Sequence, residues 1–192
     1  IRKNEGIKQY IGGGEESYGF LAGDFVRDKD SISACCLFAE VAAWAKDQGK
    51  TMYQLLQDIY VEYGYSKEVS VSLVRKGKEG ADEIEAMMKN FRNNPVKTLA
   101  GSQVTLMKDF AKLEGIDFVH NEHISLEMPT TSNVLQYFTE DGTKLSIRPS
   151  GTEPKIKFYI EVHDIVKSRD EIAVAEERAN AKIVAIRKEL GI

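Results

Sequence analysis

The spacing of apolar residues changes character near residue 64. Before it, the pattern is helical. A long apolar run from Ser31 to Gln48 is closed by Gly49, and Met52, Leu55, Leu56, Ile59, Tyr60 and Tyr63 follow a Thr51-x-x-Gln54 capping box. Only Lys8 to Gly12 reads as a short strand there. After Gly64 the pattern alternates. Val69, Val71 and Leu73, then Val104 to Phe110, Val134 to Phe138, Leu145 with Ile147, and Ile156, Phe158, Ile160 and Val162 each predict a strand with one buried face. The Asp141-Gly142 turn makes Val134–Ile147 a hairpin.

Two helices punctuate the strands. Asp82 to Arg92 places Ile84, Met87, Met88 and Phe91 on one stripe before Pro95 stops it. A Ser168-x-x-Glu171 box predicts a last helix reaching Leu190, with Ile172, Ala175, Ala179, Ile183 and Ile186 in register. That helix is expected to lie across the apolar face of an antiparallel sheet and close an α+β domain. The segment Leu113 to Ser132 reads as irregular with short extended pieces. Gly64 marks the expected boundary, giving domains 1–64 and 65–192.

Composition narrows the function classes. With 192 residues, 42% apolar and 29% charged, the chain can bury an ordinary core. A net charge of −4 argues against nucleic acid or an anionic membrane as the main partner. No apolar run reaches the ~18 residues of a membrane span, so a soluble, cytoplasmic protein is expected. Cys35 and Cys36 are adjacent, which suits neither a strain-free disulfide nor a metal site, and they read as core thiols in the first long helix. The chain opens at Ile1 with no initiator Met, which raises the expectation of a fragment.

Candidate chemistry concentrates in Arg148-Pro149-Ser150-Gly151-Thr152-Glu153-Pro154, between two predicted strands. Arg148 offers a planar fork for a phosphate, Ser150 and Thr152 offer hydroxyls, and Gly151 keeps a Cβ out of the way. Lys155 and Lys157 share the polar face of the returning strand, and Lys157 is the candidate to reach the same anion. Residue types alone leave an ordinary turn open, since Pro, Ser and Gly are turn residues. Gly12-Gly13-Gly14-Glu15-Glu16-Ser17-Tyr18-Gly19 is a second polar loop, whose plainest reading is a solvated acidic turn; paired carboxylates for acid–base work are another, although adjacent glutamates in sequence do not establish that geometry. Asp28-Lys29-Asp30 precedes the first long helix, where an acid can simply cap it. His120 and His123 have His-x-x-His spacing but lack the further ligands that a metal site needs.

Taken together, the strings resemble a known family. Arg-Pro-Ser-Gly-Thr-Glu-Pro is similar to the phosphate-binding loop in the last domain of the α-D-phosphohexomutases, the phosphoglucomutase and phosphomannomutase superfamily. The Gly12–Gly19 loop resembles the sugar-binding loop of that family's third domain, with Glu15 and Ser17 on its Glu-x-Ser positions. Lys29 matches a lysine that faces substrate in members acting on α-glucose phosphates. Within the family, the bacterial α-phosphoglucomutases look most similar.

The resemblance implies the tail of a third, α/β domain over 1–64 and a TBP-like fourth domain over 65–192, an antiparallel sheet covered by helices. It implies a mutase interconverting hexose 1-phosphate and hexose 6-phosphate, glucose preferred, through a phosphoserine enzyme and a bisphosphate. Mg²⁺ and glucose 1,6-bisphosphate are the implied cofactors, and a sugar phosphate and the N-terminal domains of the same protein the implied partners. Glu15, Ser17 and Lys29 would bind the sugar, and Arg148, Ser150, Gly151, Thr152 and Lys157 the phosphate that is not reacting. The family's nucleophilic serine loop and Asp-Gly-Asp metal loop are not found in these 192 residues. No catalytic or metal-ligating residue is therefore expected here, and the chain alone is expected to be inactive. The rival classes are a stand-alone, non-catalytic phosphate-binding module and a nucleic-acid-binding sheet, the latter disfavoured by net acidity.

Overall fold

A computed structural model describes residues 6–14, 19–25 and 28–192. The chain divides into two compact units, residues 1–59 and 60–192.

In the first unit the described residues form a two-residue antiparallel ladder, β1 (Gly13–Gly14) on β2 (Phe20–Leu21), then helix α1 (Ser31–Asp47) and the start of α2 (Met52–Tyr63). Lys8 to Gly12, read above as a strand, is irregular, and the ladder begins one residue later. Asp30 caps α1, its carboxylate accepting from the amides of Ile32 at 3.0 Å and Ser33 at 3.1 Å. The Thr51–Gln54 box forms reciprocally: Gln54 N–H donates to Thr51 Oγ1 at 3.1 Å and Thr51 N–H to Gln54 Oε1 at 2.9 Å.

Packing in this unit departs from expectation. Ala45 is the one buried residue among those described, while Ile32, Phe38 and Trp44 of α1 are mostly exposed. Cys35 and Cys36 are exposed too, so they are not core thiols. The physical reason is that a ladder of two residue pairs is too narrow to cover an apolar 17-residue helix.

The second unit is built on an antiparallel sheet. Its strands are β3 (Tyr65–Val74), β4 (Thr98–Leu99), β5 (Ser102–Asp109), β6 (Glu114–Asp117), β7 (Glu122–Ser125), β8 (Leu135–Thr139), β9 (Lys144–Pro149) and β10 (Lys155–Asp164). They run in the order β3-β10-β9-β8-β5-β6-β7, with β4 paired to β5. Helix α3 (Gly77–Asn93) follows β3, and α4 (Ile172–Leu190) closes the chain. This is the α+β architecture expected.

One rung shows how alternation becomes a core. Val71, Phe158, Ile147 and Leu135 are in register across β3, β10, β9 and β8, on the face that the helices cover. Phe158, Ile147 and Leu135 are fully buried, each contributing about 1.5–3 kcal/mol by leaving water. The ring of Phe91 on α3 meets Phe158 edge-on, 6.1 Å between centroids. On α4, Ile172, Ala175, Ala179, Ile183 and Ile186 are buried.

Residues 113–132 hold the short extended pieces expected there, β6 and β7, paired as a hairpin with Asn121 in its turn at φ 55°, and are otherwise turn or irregular. Two local expectations need correction. Helix α3 starts at Gly77 rather than Asp82. Its first turns carry Gly77 and Gly80, poor helix formers, yet a Cβ on Gly80 would stand 2.6 Å from the Arg75 carbonyl carbon, so only glycine fits. The Ser168–Glu171 box does not form. Ser168 makes no side-chain cap bond, and Glu171 accepts instead from the Lys167 amide at 2.9 Å, ahead of a 3-10 turn, Arg169–Glu171.

Candidate functional site

The Pro149–Pro154 turn joins β9 to β10 and is tied from inside and outside. Ser150 N–H donates to the Lys155 carbonyl at 2.7 Å, and Lys155 N–H to the Glu153 carbonyl at 2.7 Å. The Pro154 carbonyl accepts from Arg75 N–H at 2.9 Å, which anchors the turn to the end of β3. Glu153 pairs with Lys155 at 2.9 Å, and the hydrogen bond from Lys155 holds the Glu153 carboxyl below its ordinary range. Gly151 has no atom within 4 Å of the place a Cβ would occupy, so space in front of its backbone is open. Gly151 and Thr152 are exposed and Ser150 is half-buried.

Two cations flank this turn on the sheet face opposite the helices. Arg148 on β9 and Lys157 on β10 are direct cross-strand partners. Such partners have Cβ atoms roughly 4.5–5.5 Å apart, and like charges placed so destabilise the sheet. Lys155, on the same face, is occupied by Glu153, whereas neither Arg148 nor Lys157 has a carboxylate partner among the described residues. The Lys157 ammonium stands 5.7 Å from the Tyr159 ring centroid. The result is a compact positive seat beside a turn offering Ser150 and Thr152 hydroxyls.

Toward α3 the same turn borders a cleft of about 590 Å³. Ala81, Ile84 and Met88 line one side, Ser150 to Thr152 another, and Asn133 also belongs to the wall. No spacing in the sequence singles out Asn133, because a lone polar residue before a strand carries no signal.

Comparisons with known proteins fit this arrangement. The family model for the phosphoglucomutase/phosphomannomutase C-terminal domain matches residues 68–180, and that for the family's alpha/beta/alpha domain III matches residues 2–63. The chain belongs to the phosphoglucomutase/phosphomannomutase family. A phosphoglucomutase from Staphylococcus haemolyticus is 35% identical over 163 residues, which are 85% of this chain and 29% of that protein. One from Staphylococcus aureus strain MSSA476 is 34% identical over 183 residues, 95% of this chain and 32% of that protein. The chain thus spans about a third of the length of these curated relatives. Among solved structures, the open form of pp63/parafusin, a phosphoglucomutase from Paramecium, aligns over 95% of this chain and 31% of its own, with a TM-score of 0.50 and 16% identity. That likeness concerns the fold alone. Because both successive domain models match, a stand-alone phosphate-binding module is not favoured.

The other candidate residues of the phosphoglucomutase/phosphomannomutase reading divide between the units. Glu15 and Ser17 lie outside the described residues. Lys29 is in the first unit, half-exposed, with its Nζ 3.3 Å from Asp28 Oδ1. The Lys29 amide, then its ammonium, hold the Asp28 carboxyl below its ordinary range. In the second unit, Arg148, Ser150, Gly151, Thr152 and Lys157 come together at one strand-to-strand turn. His120 is engaged by Asp117 at 2.9 Å, and among the described residues no group of three His, Cys, Asp or Glu side chains could hold a metal ion. No described helix is long and apolar enough to cross a membrane.

Proposed function

We propose that the chain is the ligand-holding part of a sugar-phosphate mutase that interconverts hexose 1-phosphate and hexose 6-phosphate, with glucose preferred. The observation that carries this reading is the facing of Arg148 and Lys157 beside the Ser150–Thr152 turn. Without an anion, that juxtaposition costs up to about 1 kcal/mol. With a phosphate between them, both charges make charge-assisted hydrogen bonds and the sign reverses. The seat holds the phosphate that is not reacting.

Glu15 and Ser17 hold ring hydroxyls in this reading, a carboxylate accepting from neighbouring hydroxyls and a serine both donating and accepting. Lys29 faces the substrate. All of these residues contribute by positioning, since none attacks phosphorus or serves as leaving group. The phosphoryl group that moves is supplied by a phosphoserine outside these residues. Glucose 1,6-bisphosphate is the species whose two phosphates exchange places, so the seat accepts a phosphate on either end of the sugar. Mg²⁺ belongs to the wider reaction; among the described residues no group of three His, Cys, Asp or Glu side chains could hold it. A cytoplasmic setting is part of the same reading, because a charged sugar phosphate does not cross a membrane unaided.

The test is titration of the labelled chain with inorganic phosphate, followed by backbone amide NMR. The largest shifts are expected at Gly151 and Thr152, with Kd on the order of 1 mM or weaker, and none in Arg148→Ala. If tens of millimolar phosphate moves those amides no more than those of α4, the anion seat is wrong.

A further inference from the structure

Strand β3 is the long open edge of the sheet. Among the described residues its ladder runs on one side only, paired with β10 from Tyr65 opposite Asp164 to Val74 opposite Lys155 without a register shift. Arg75 N–H continues that ladder by donating to the Pro154 carbonyl at 2.9 Å. In an antiparallel ladder alternate residues turn their N–H and C=O groups toward the same neighbour. The backbone groups of Ser66, Glu68, Ser70, Ser72 and Val74 therefore point the other way, to the free edge. Glu68, Ser70, Ser72 and Val74 are exposed, Val74 to 60%.

Sheet edges are ordinarily guarded by shortness, charge, proline or a bulge. The opposite edge, β7, obeys that rule: it has four residues and carries Glu122 and His123. Strand β3 does not. From Val69 to Val74 it reads Val-Ser-Val-Ser-Leu-Val, with no charge, no proline and no bulge. Charges come only at its flanks. Lys67 and Arg75, on the helix-covered face, are taken by Glu176 at 2.7 Å and Glu83 at 3.0 Å. Glu68 and Lys76, on the open face, are exposed and have no ionic partner among the described residues. Glu68 stands across from Glu161 of β10, a like charge. Lys76 keeps an extended backbone, φ −90° and ψ 144°, so strand geometry reaches it.

We propose that β3 is a self-association edge, on which a second copy of this chain lays its own β3 antiparallel, about a two-fold axis at Ser72. Charge selects both partner and register. Side chains keep their faces only where even-numbered residues meet even-numbered ones. With Ser72 opposite Ser72 of the second copy, Glu68 meets Lys76 of the second copy and Lys76 meets its Glu68. Two opposite-charge pairs then flank an uncharged ladder. Sliding one copy by two residues, to centre Val71, loses both pairs and sets Lys67 against Arg75. One strand a side buries less than the ~1,200 Å² of a stable interface, so the dimer is weak, with Kd on the order of 100 μM. The inference is independent of the phosphate seat.

The test is sedimentation equilibrium of the whole chain from about 10 μM to about 1 mM, in reductant so that exposed Cys35 and Cys36 form no cross-link. Wild type should pass from monomer to dimer, and protection of the Ser70 and Ser72 amides from hydrogen exchange should rise with concentration. Glu68→Lys and Lys76→Glu should each weaken the dimer at least about fivefold, and the two together should return Kd to within about twofold of wild type. Ser72→Lys, which sets two ammonium groups face to face on the axis, should leave a monomer whose β9 and β10 amide signals match wild type. A chain that stays monomeric throughout the range overturns the proposal. So does a dimer that Ser72→Lys and both single swaps leave intact, which would place the contact elsewhere, as on exposed Phe38 and Trp44 of α1. Protection of Ser70 and Ser72 already complete in the monomer would mean that another segment of the chain holds the edge, and the proposal fails. Single swaps that weaken the dimer without rescue by the double swap overturn the register.

Discussion

Arg148 and Lys157 sit directly opposite one another on neighbouring antiparallel strands, two cations in register beside a turn of Ser, Gly and Thr. In that place Lys157→Gln should have opposite effects with and without phosphate. In chloride alone the variant should be as stable as wild type or up to about 1 kcal/mol more stable, because repulsion is relieved. With 20 mM phosphate and a Kd of ~1 mM, wild type should gain roughly 2 kcal/mol through linkage, and the variant clearly less. Urea melts at matched ionic strength measure both. A variant that is destabilised in chloride and keeps the full phosphate gain contradicts the seat.

Catalysis offers a second check. The chain alone should show no mutase turnover, with or without Mg²⁺ and glucose 1,6-bisphosphate, in an assay coupled to glucose 6-phosphate oxidation. Turnover above a matched blank that scales with chain concentration and survives repurification would mean that a nucleophile lies within these 192 residues.

In a longer mutase carrying this chain, Glu15→Ala should lower kcat/KM by ~10²-fold or more. A hydrogen bond to a charged group contributes roughly 1.5–3 kcal/mol, and Glu15 can accept two. Phosphoserine content should not change. Steady-state kinetics on a correctly folded variant decide it, and near wild-type values would reduce the Glu15 loop to an acidic turn.

Stability of the second unit should weaken in acid partly through Asp141. Burial pushes its carboxyl up, but hydrogen bonds from Lys182, Thr139 and Thr143 outweigh it and hold the group below its ordinary range. A depressed folded-state value means that the contribution is complete above the unfolded carboxylate range, near pH 4, and is lost as pH falls through it toward the folded value. Asp141→Asn should therefore lower Tm at pH 7 and flatten the fall in Tm between about pH 5 and pH 2. The carboxylate is 41% exposed, so solvent screening keeps the effect modest. Parallel Tm–pH curves for the two proteins would remove Asp141 from the acid response.

Local pattern decided a good deal by itself. Alternation at Ile156, Phe158, Ile160 and Val162 and the stripe from Ile172 to Ile186 follow from side-chain periods of 2 and 3.6, which need no tertiary information. The Thr51–Gln54 box and the Asp141-Gly142 turn are likewise short-range chemistry, and the Arg148–Pro154 string identified the family. Tertiary structure decided what lies between distant residues. Register set Lys157 against Arg148, and Arg92, Asp109 and Asn133 meet although 17 and 41 residues separate them from Arg92. Gly80 is accepted in a helix only because Arg75 passes too close for a Cβ. The exposure of Cys35, Cys36 and Trp44 shows the same limit from the other side: apolar periodicity says which face of a helix can be buried, while burial itself requires a partner surface, and that is a property of the packed unit rather than of the string.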